Sequence, residues 1–170
     1  PGRSALVAPL TLDNAPQYFD TLMLHSRAIV RLAAEISDAK AAATIREAAR
    51  AYGKAEETGD IDAVVTADLD FHSAVAAAAR NAFMARFYGL TLDYGRRVML
   101  LHYYPVRGPD EGARSAAEHV AIADAIAAGD AEQAEALIGR HILEQIEIIK
   151  NSLAPTAGTR FSTEGLGKFG

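Results

Sequence analysis

Alanine-rich amphipathic segments run through most of this 170-residue chain, and the alternating β-branched pattern that is typical of strands is nearly absent. Alanine has the highest intrinsic helix propensity, and apolar residues that recur with the helical period place one face of each segment toward a core. This pattern predicts an all-α fold. Because the connections between the segments are short, it further predicts an antiparallel bundle of six to seven helices.

Capping and helix-breaking residues divide the chain into six predicted helices. Gly59-Asp60 and Gly129-Asp130 each pair a residue that ends one helix with a residue that caps the next, and Pro105 to Pro109 form the clearest loop. The predicted helices run from a cap in 11–14 to about 36, from a cap at 37–38 to about 58, from about 61 to 80, from a cap at 81 to about 104, from about 110 to 128 and from a cap at 130 to about 153. Residues 1–11 are interpreted as a linker remnant and 154–170 as a flexible C-terminal tail, which leaves one helical domain over 12–153.

Composition excludes several classes of function. With no cysteine, the chain has no disulfide, no thiolate nucleophile and no zinc finger, and we expect a cytoplasmic protein. No apolar run is long enough to suggest a membrane span. The net charge of −5 and the absence of a basic cluster predict that the chain alone does not bind DNA. Because the sequence starts at Pro1, we expect that an N-terminal part of a longer protein precedes it.

Four polar residues fall where the helical period predicts core positions. Asp68 and His72 are one turn apart on the apolar stripe of the third helix, His119 lies on that of the fifth, and His141 lies on that of the sixth. Charged groups are almost never fully buried without a partner. Around the turn at Gly129, His119 and His141 lie at similar heights, so we expect their imidazoles to meet.

Three imidazoles and one carboxylate in a bundle interior form a ligand set for one divalent transition metal, with Zn²⁺ as the first expectation and Ni²⁺, Mn²⁺ or Fe²⁺ as alternatives. Taken singly, each histidine could be a hydrogen-bonded core residue, and Asp68 could be an ion-paired core acid beside Arg97 or Arg31. The joint placement of all four favours the metal. His25 and His102 lack that placement and are interpreted as ordinary histidines.

Three stretches of the chain resemble the effector-binding C-terminal FCD domain of FadR-like regulators in the GntR family. They are Asp68-Leu-Asp-Phe-His72 with the following Ala-Ala-Arg-Asn81, Glu118-His119-Val-Ala-Ile-Ala-Asp-Ala-Ile-Ala-Ala-Gly-Asp130, and Ala134-Glu-Ala-Leu-Ile-Gly-Arg140-His141. The resemblance covers roughly residues 12 to 153. It implies a homodimeric helical bundle in which Asp68, His72, His119 and His141 hold a metal and a small organic acid binds beside it. It also implies DNA binding through an N-terminal winged helix-turn-helix domain, which this chain lacks.

The effector contacts are predicted less directly than the metal ligands. The Arg and Glu that often occur early in the first helix of the family are not evident in Thr21-Leu-Met-Leu-His-Ser26. From its height on the fourth helix, Arg96 is the first candidate to bind a carboxylate bidentately, followed by Arg97 and Arg27. Asn81 is first a helix cap and second a possible contact. Glu118 and Glu144 are interpreted as solvated, or as partners of the metal ligands.

The function predicted from these residues is the sensing of a small carboxylate at a metal, without catalysis, because no nucleophile, general base or phosphate loop stands beside the ligands. Two alternatives stay open. One is a helical metalloenzyme that acts on a small carboxylate. The other is a dimerisation module with a purely structural metal.

Overall fold

The structure is a computed structural model that describes residues 14–153, so the predicted linker remnant, the predicted tail and most of the predicted first cap lie outside the described residues. The described chain is all-helical, as predicted. Its elements are α1 (Ala15–Ile36), α2 (Ala39–Thr58), α3 (Ile61–Ala78), α4 (Ala82–Val98), a π-helical turn (Met99–Tyr103), α5 (Pro109–Ala128) and α6 (Ala131–Leu153).

The helix ends follow the capping chemistry of the sequence. Gly59 and Gly129 adopt the left-handed backbone conformation, with φ of 70° and 73°, which a residue without a Cβ takes at little cost. The side chains of Asp38 and Asp60 accept hydrogen bonds from the first backbone N–H groups of α2 and α3. Asn14 precedes α1 but makes no side-chain cap hydrogen bond.

Two predicted helix ends are wrong. The third helix ends at Ala78 rather than Arg80, because Arg80 takes a left-handed conformation with φ of 48° that terminates the helical ladder. The fourth helix does not continue as an α-helix to Tyr104. It changes at Met99 to a π-helical turn, in which the Tyr104 N–H donates to the Met99 carbonyl at 3.0 Å. Tyr103 and Tyr104 are both buried at the end of this turn.

The helices pack as a bundle around a single apolar core. Helix α1 lies against α4 and α6, α2 lies against α3 and α5, and α5 also contacts α6. Five fully buried side chains, one each from α1, α2, α3, α5 and α6, mark the centre of the core: Ile29, Ile45, Phe71, Ile122 and Ile138. Among the described helices, none is both long and apolar enough to span a membrane.

Candidate metal centre

The three histidines predicted on separate core faces meet inside the bundle. His72 from α3, His119 from α5 and His141 from α6 offer ring nitrogens that all lie within 4.8 Å of one another. All three side chains are buried. The His119 and His141 ring centroids are 4.8 Å apart, which agrees with the equal heights expected from the turn at Gly129. The antiparallel α5–α6 hairpin therefore supplies two of the four predicted ligands.

Asp68, the fourth predicted ligand, lies beside the three histidines. Its Oδ1 lies 3.3 Å from His119 Nε2 and 3.8 Å from His72 Nε2, and its side chain keeps 14% of its surface exposed, on the side of a neighbouring cavity. Both Asp68 Oδ1 and His119 Nε2 are buried atoms without a hydrogen-bond partner. Arg31, which we considered as a partner for Asp68, instead pairs with Glu35 and Glu135.

The outer nitrogen of each imidazole is held by a partner away from the cluster. His119 Nδ1 lies 2.7 Å from the Ser115 carbonyl and His141 Nδ1 lies 2.6 Å from Glu118 Oε2. Because a carbonyl and a carboxylate only accept, both Nδ1 atoms carry the proton and donate, so both Nε2 atoms present a lone pair. His72 Nδ1 lies 3.1 Å from the Tyr88 hydroxyl, which can donate or accept, so this contact orients the ring without fixing the position of its proton. This is how proteins orient metal-binding histidines.

The residues present fit a bound cation. The His119 Nε2 lone pair faces the Asp68 carboxylate, so two acceptors oppose each other in a buried place and neither can donate to the other. Leaving such groups unsatisfied costs roughly 1–3 kcal/mol each. A divalent ion that accepts both lone pairs removes this cost.

The protonation states of the clustered residues also suit the binding of a cation. Burial lowers the pKa of His72 to about 4 despite the opposing attraction of Asp68, and burial also lowers the pKa of His141. Burial by itself would raise the pKa of Asp68, but attraction to His72 and His119 lowers it to about 2. These shifts favour neutral His72 and His141 and an ionised Asp68, which are the protonation states that bind metals.

A cavity of about 40 Å³ adjoins Asp68 and His72. Most of its wall is apolar, contributed by side chains such as Leu22, Val65 and Met99. A single water needs roughly 10–15 Å³ of such space, so the cavity matches a molecule of a few heavy atoms. The polar residues in its lining include Tyr18, Arg96 and Gln145.

The predicted effector contacts lie in different environments. Arg96 is an exposed residue of α4 that borders the cavity. Asn81 caps α4 by accepting from the Met84 N–H at 3.1 Å, as expected, and neither it nor the half-buried Arg97 lines the cavity. Arg27 forms an ion pair with Glu135 at 2.7 Å and also lies outside the cavity lining.

The sequence did not predict several of the side chains that contact the histidines. Tyr88 holds His72, and Tyr52 stacks on His119 with ring centroids 4.1 Å apart. Glu118, left open between solvation and a supporting role, is the partner of His141, whereas Glu144 pairs with Arg114 at 2.8 Å. The spacing of four residues between Ser115 and His119 would have indicated their contact, since it places both on one helix face. His25 bonds Thr91 at 3.1 Å, apart from the cluster.

Comparisons with known proteins agree on one domain type. The model of the FCD domain family matches residues 26–144. An uncharacterized HTH-type transcriptional regulator of Paraburkholderia xenovorans, BphR, is 32% identical over 87 residues, which are 49% of this chain and 33% of BphR. The match thus spans about a third of that relative.

Two solved structures share the fold. Escherichia coli McbR/YncC superimposes with a TM-score of 0.77 at 15% identity, over 88% of this chain and 72% of the other. The metal-free FCD domain of TM0439 superimposes with a TM-score of 0.67 at 15% identity, over 87% of this chain and 99% of the other.

Proposed function

The chain belongs to the FCD domain family, and from this premise we propose that it is the effector-binding domain of a transcription regulator. In this proposal Asp68, His72, His119 and His141 hold one divalent metal ion, and a small organic acid binds to the metal from the adjoining cavity. Zn²⁺ suits three imidazoles and a carboxylate best, with Ni²⁺, Mn²⁺ and Fe²⁺ as alternatives. The similarity to an HTH-type regulator supports the regulatory role.

One observation carries the metal part of the proposal. Asp68 Oδ1 and His119 Nε2 face each other at 3.3 Å as buried acceptors without a donor, while the outer nitrogens of His119 and His141 are fixed as donors. A histidine that served only as a hydrogen-bonded core residue would direct one N–H to Asp68. Here the Nδ1–H groups of His119 and His141 point away from it, so the Nε2 atoms of these two residues carry lone pairs.

The charge and size of the site support a small acid as the ligand. A divalent ion beside one carboxylate retains about one positive charge, which an anion in the cavity neutralises. The cavity of about 40 Å³ limits the part of the acid that lies beyond its metal-bound carboxylate to a few heavy atoms. Arg96 borders it from α4 and is the residue placed to pair with a carboxylate away from the metal. The serine that lines the cavity, Ser26, donates its hydroxyl proton to Tyr88 rather than to a basic group, and this supports sensing over catalysis.

Calorimetric titration of malonate into Zn²⁺-loaded, chelator-treated and Arg96→Ala protein tests the proposal. We expect the chelator-treated protein to bind malonate far more weakly, because the main positive charge is gone. Arg96→Ala should weaken binding by about 1–3 kcal/mol and leave the metal content unchanged. Arg50→Ala, at an exposed arginine of α2 that does not line the cavity, is the control.

Linkage gives a second readout of the same site. If malonate binds at the metal, a saturating concentration must slow the loss of Zn²⁺ to a chelator, because coupling between two ligands is reciprocal. Equal malonate affinity with and without the ion would mean that the metal serves only to brace the bundle.

We further propose that the domain is a homodimer that reaches DNA only through a separate helix-turn-helix domain. Phe83, Phe87 and Leu90 lie on one side of α4 with exposures of 80%, 55% and 59%. Exposed apolar patches of this kind mark protein interfaces. If two copies of α4 cross antiparallel near Leu90, the exposed Arg86 of one copy meets the exposed Asp93 of the other, so the charges beside the apolar side chains are complementary.

A further inference from the structure

Gln145 is a polar residue of α6 that touches both the histidine cluster and the cavity. It lies one helical turn from His141, on the same side of the helix. Its Nε2 lies 3.0 Å from His141 Nε2, and its side chain lines the cavity together with Arg96 and Tyr18. None of the roles assigned above uses this residue.

The direction of the Gln145 hydrogen bond follows from the far side of the ring. Glu118 contacts the other ring nitrogen of His141, and a carboxylate oxygen accepts hydrogen bonds. Glu118 Oε2 lies 2.6 Å from His141 Nδ1, which therefore carries the ring proton. His141 Nε2 is left as an acceptor, and the Gln145 amide donates to it.

The same lone pair is the one that His141 would use to bind a metal. A ring nitrogen has one in-plane lone pair, which can accept an N–H or coordinate an ion but cannot do both. A group that competes for it lowers the apparent affinity for the ion. Once displaced, the amide loses its acceptor, and an unsatisfied half-buried N–H is costly. Gln145 already lines the cavity beside Asp68, where its amide can donate to a bound acid.

We propose that Gln145 is a displaceable latch on His141 that becomes a contact for the effector carboxylate when metal binds. This inference rests on the proposed function, since it assumes that metal and acid share the site. The amide weakens metal binding by holding the His141 lone pair, and it strengthens acid binding by donating an N–H into the cavity. The two effects have opposite signs, which a residue that only supports the packing of α6 would not produce.

The test compares Gln145→Met with the wild-type protein, because methionine has a similar length but donates no hydrogen bond. We expect Zn²⁺ affinity, measured by competition with a chromophoric chelator, to rise about fivefold, as the loss of one hydrogen bond implies. Malonate affinity of the Zn²⁺-loaded variant should fall about fivefold by calorimetry. Gln133→Met, the same change at an exposed position of α6, should alter neither constant.

Gln145→Glu keeps the size and polarity of the side chain in case the methionine variant does not fold. It cannot donate to His141, and its charge repels an acid, so Zn²⁺ affinity should again rise and malonate affinity fall. Unchanged or weaker Zn²⁺ binding in a folded variant would overturn the latch. Unchanged malonate binding would overturn the effector contact and indicate that the amide turns instead to the small cleft beside Arg114 and Glu144.

Zn²⁺ and malonate binding by the wild-type protein shows whether a failure concerns Gln145 or the proposed function. If the wild-type protein binds neither Zn²⁺ nor malonate, the proposed function itself fails. If it binds both and the variants behave like wild type, only the role of Gln145 is wrong.

Discussion

Two regions of the molecule depart from the usual burial of side chains: one buries polar residues, and the other exposes apolar ones. The histidine cluster places Asp68 and three imidazoles inside the bundle, whereas the outer side of α4 places Phe83, Phe87 and Leu90 in solvent. Isolated exposed apolar residues are ordinary, but buried polar groups and grouped exposed aromatics are informative. In the proposed function, each region is completed by a different kind of partner.

The difference between the two regions shows what kind of partner each requires. In the cluster the outer nitrogens are satisfied by Ser115, Glu118 and Tyr88, and the inner lone pairs converge within 4.8 Å, a separation that one ion can bridge. On α4 the apolar side chains extend along the helix, which a second helix can cover. We therefore propose a small, positively charged ion as the partner of the cluster and a second copy of the chain as the partner of the α4 side.

Replacing a cluster ligand should have the largest effect. We expect His141→Ala to lower Zn²⁺ affinity by more than about 100-fold, because even residues that only support a ligand account for about 10–100-fold. Metal content by elemental analysis, together with chelator competition, checks this. His102→Ala, at a half-buried histidine outside the cluster, is the matched control. Stoichiometric metal in the His141→Ala protein would show that the ligand assignment is wrong.

Lowering the pH tests the histidine cluster without a mutation. In chelator-treated protein His72 has a pKa of about 4, while the unfolded chain takes up this proton near the ordinary value of 6.5. The unfolded state is therefore favoured progressively as pH falls from about 6.5 to 4, with a loss approaching about 3 kcal/mol from this residue. Denaturant unfolding across that range measures the loss. A free energy of unfolding that stays constant between pH 6.5 and 4 would contradict the neutral state of His72.

Placing a charge on the exposed apolar side of α4 should weaken self-association and leave the histidine cluster unchanged. We expect Phe87→Asp to weaken self-association by at least about 2 kcal/mol, the size typical of a central interface residue. Sedimentation equilibrium measures it. Leu143→Asp, at a residue of α6 with 40% exposure, is the control. Zn²⁺ content should not change in either variant, and a loss of metal on charging α4 would mean that the two regions are coupled.

The smallest effect is expected from the support of a ligand rather than the ligand itself. Glu118→Gln retains an oxygen that can accept from His141 Nδ1 but removes the negative charge, so Zn²⁺ affinity should fall about tenfold. Glu147→Gln, at an exposed position on α6, serves as the comparison, with competition titration as the readout. A loss as large as that of His141→Ala would instead indicate that Glu118 is itself a ligand.

The features that could be predicted from the sequence are those that depend on residues close together in the chain. Helix propensity and apolar period depend on residues within one or two turns, so the six helices and the caps at Gly59 and Gly129 follow from the printed chain. The positions of His72, His119 and His141 on core faces follow from the same period. The antiparallel turn between α5 and α6 then predicts the meeting of His119 and His141, which the structure shows.

Only the tertiary structure decided how those residues are used. The orientation of His72 depends on Tyr88 and, behind it, on Ser26, whose hydroxyl donates to Tyr88 at 3.1 Å from another helix. Arg27 pairs with Glu135 because α1 packs on α6. At Met99 the backbone changes to a π-helical turn, in which a hydrogen bond spans five residues instead of four, where Tyr103 and Tyr104 are buried. Such choices join residues far apart in sequence, and the helical period carries no information about which side chain a neighbouring helix will present.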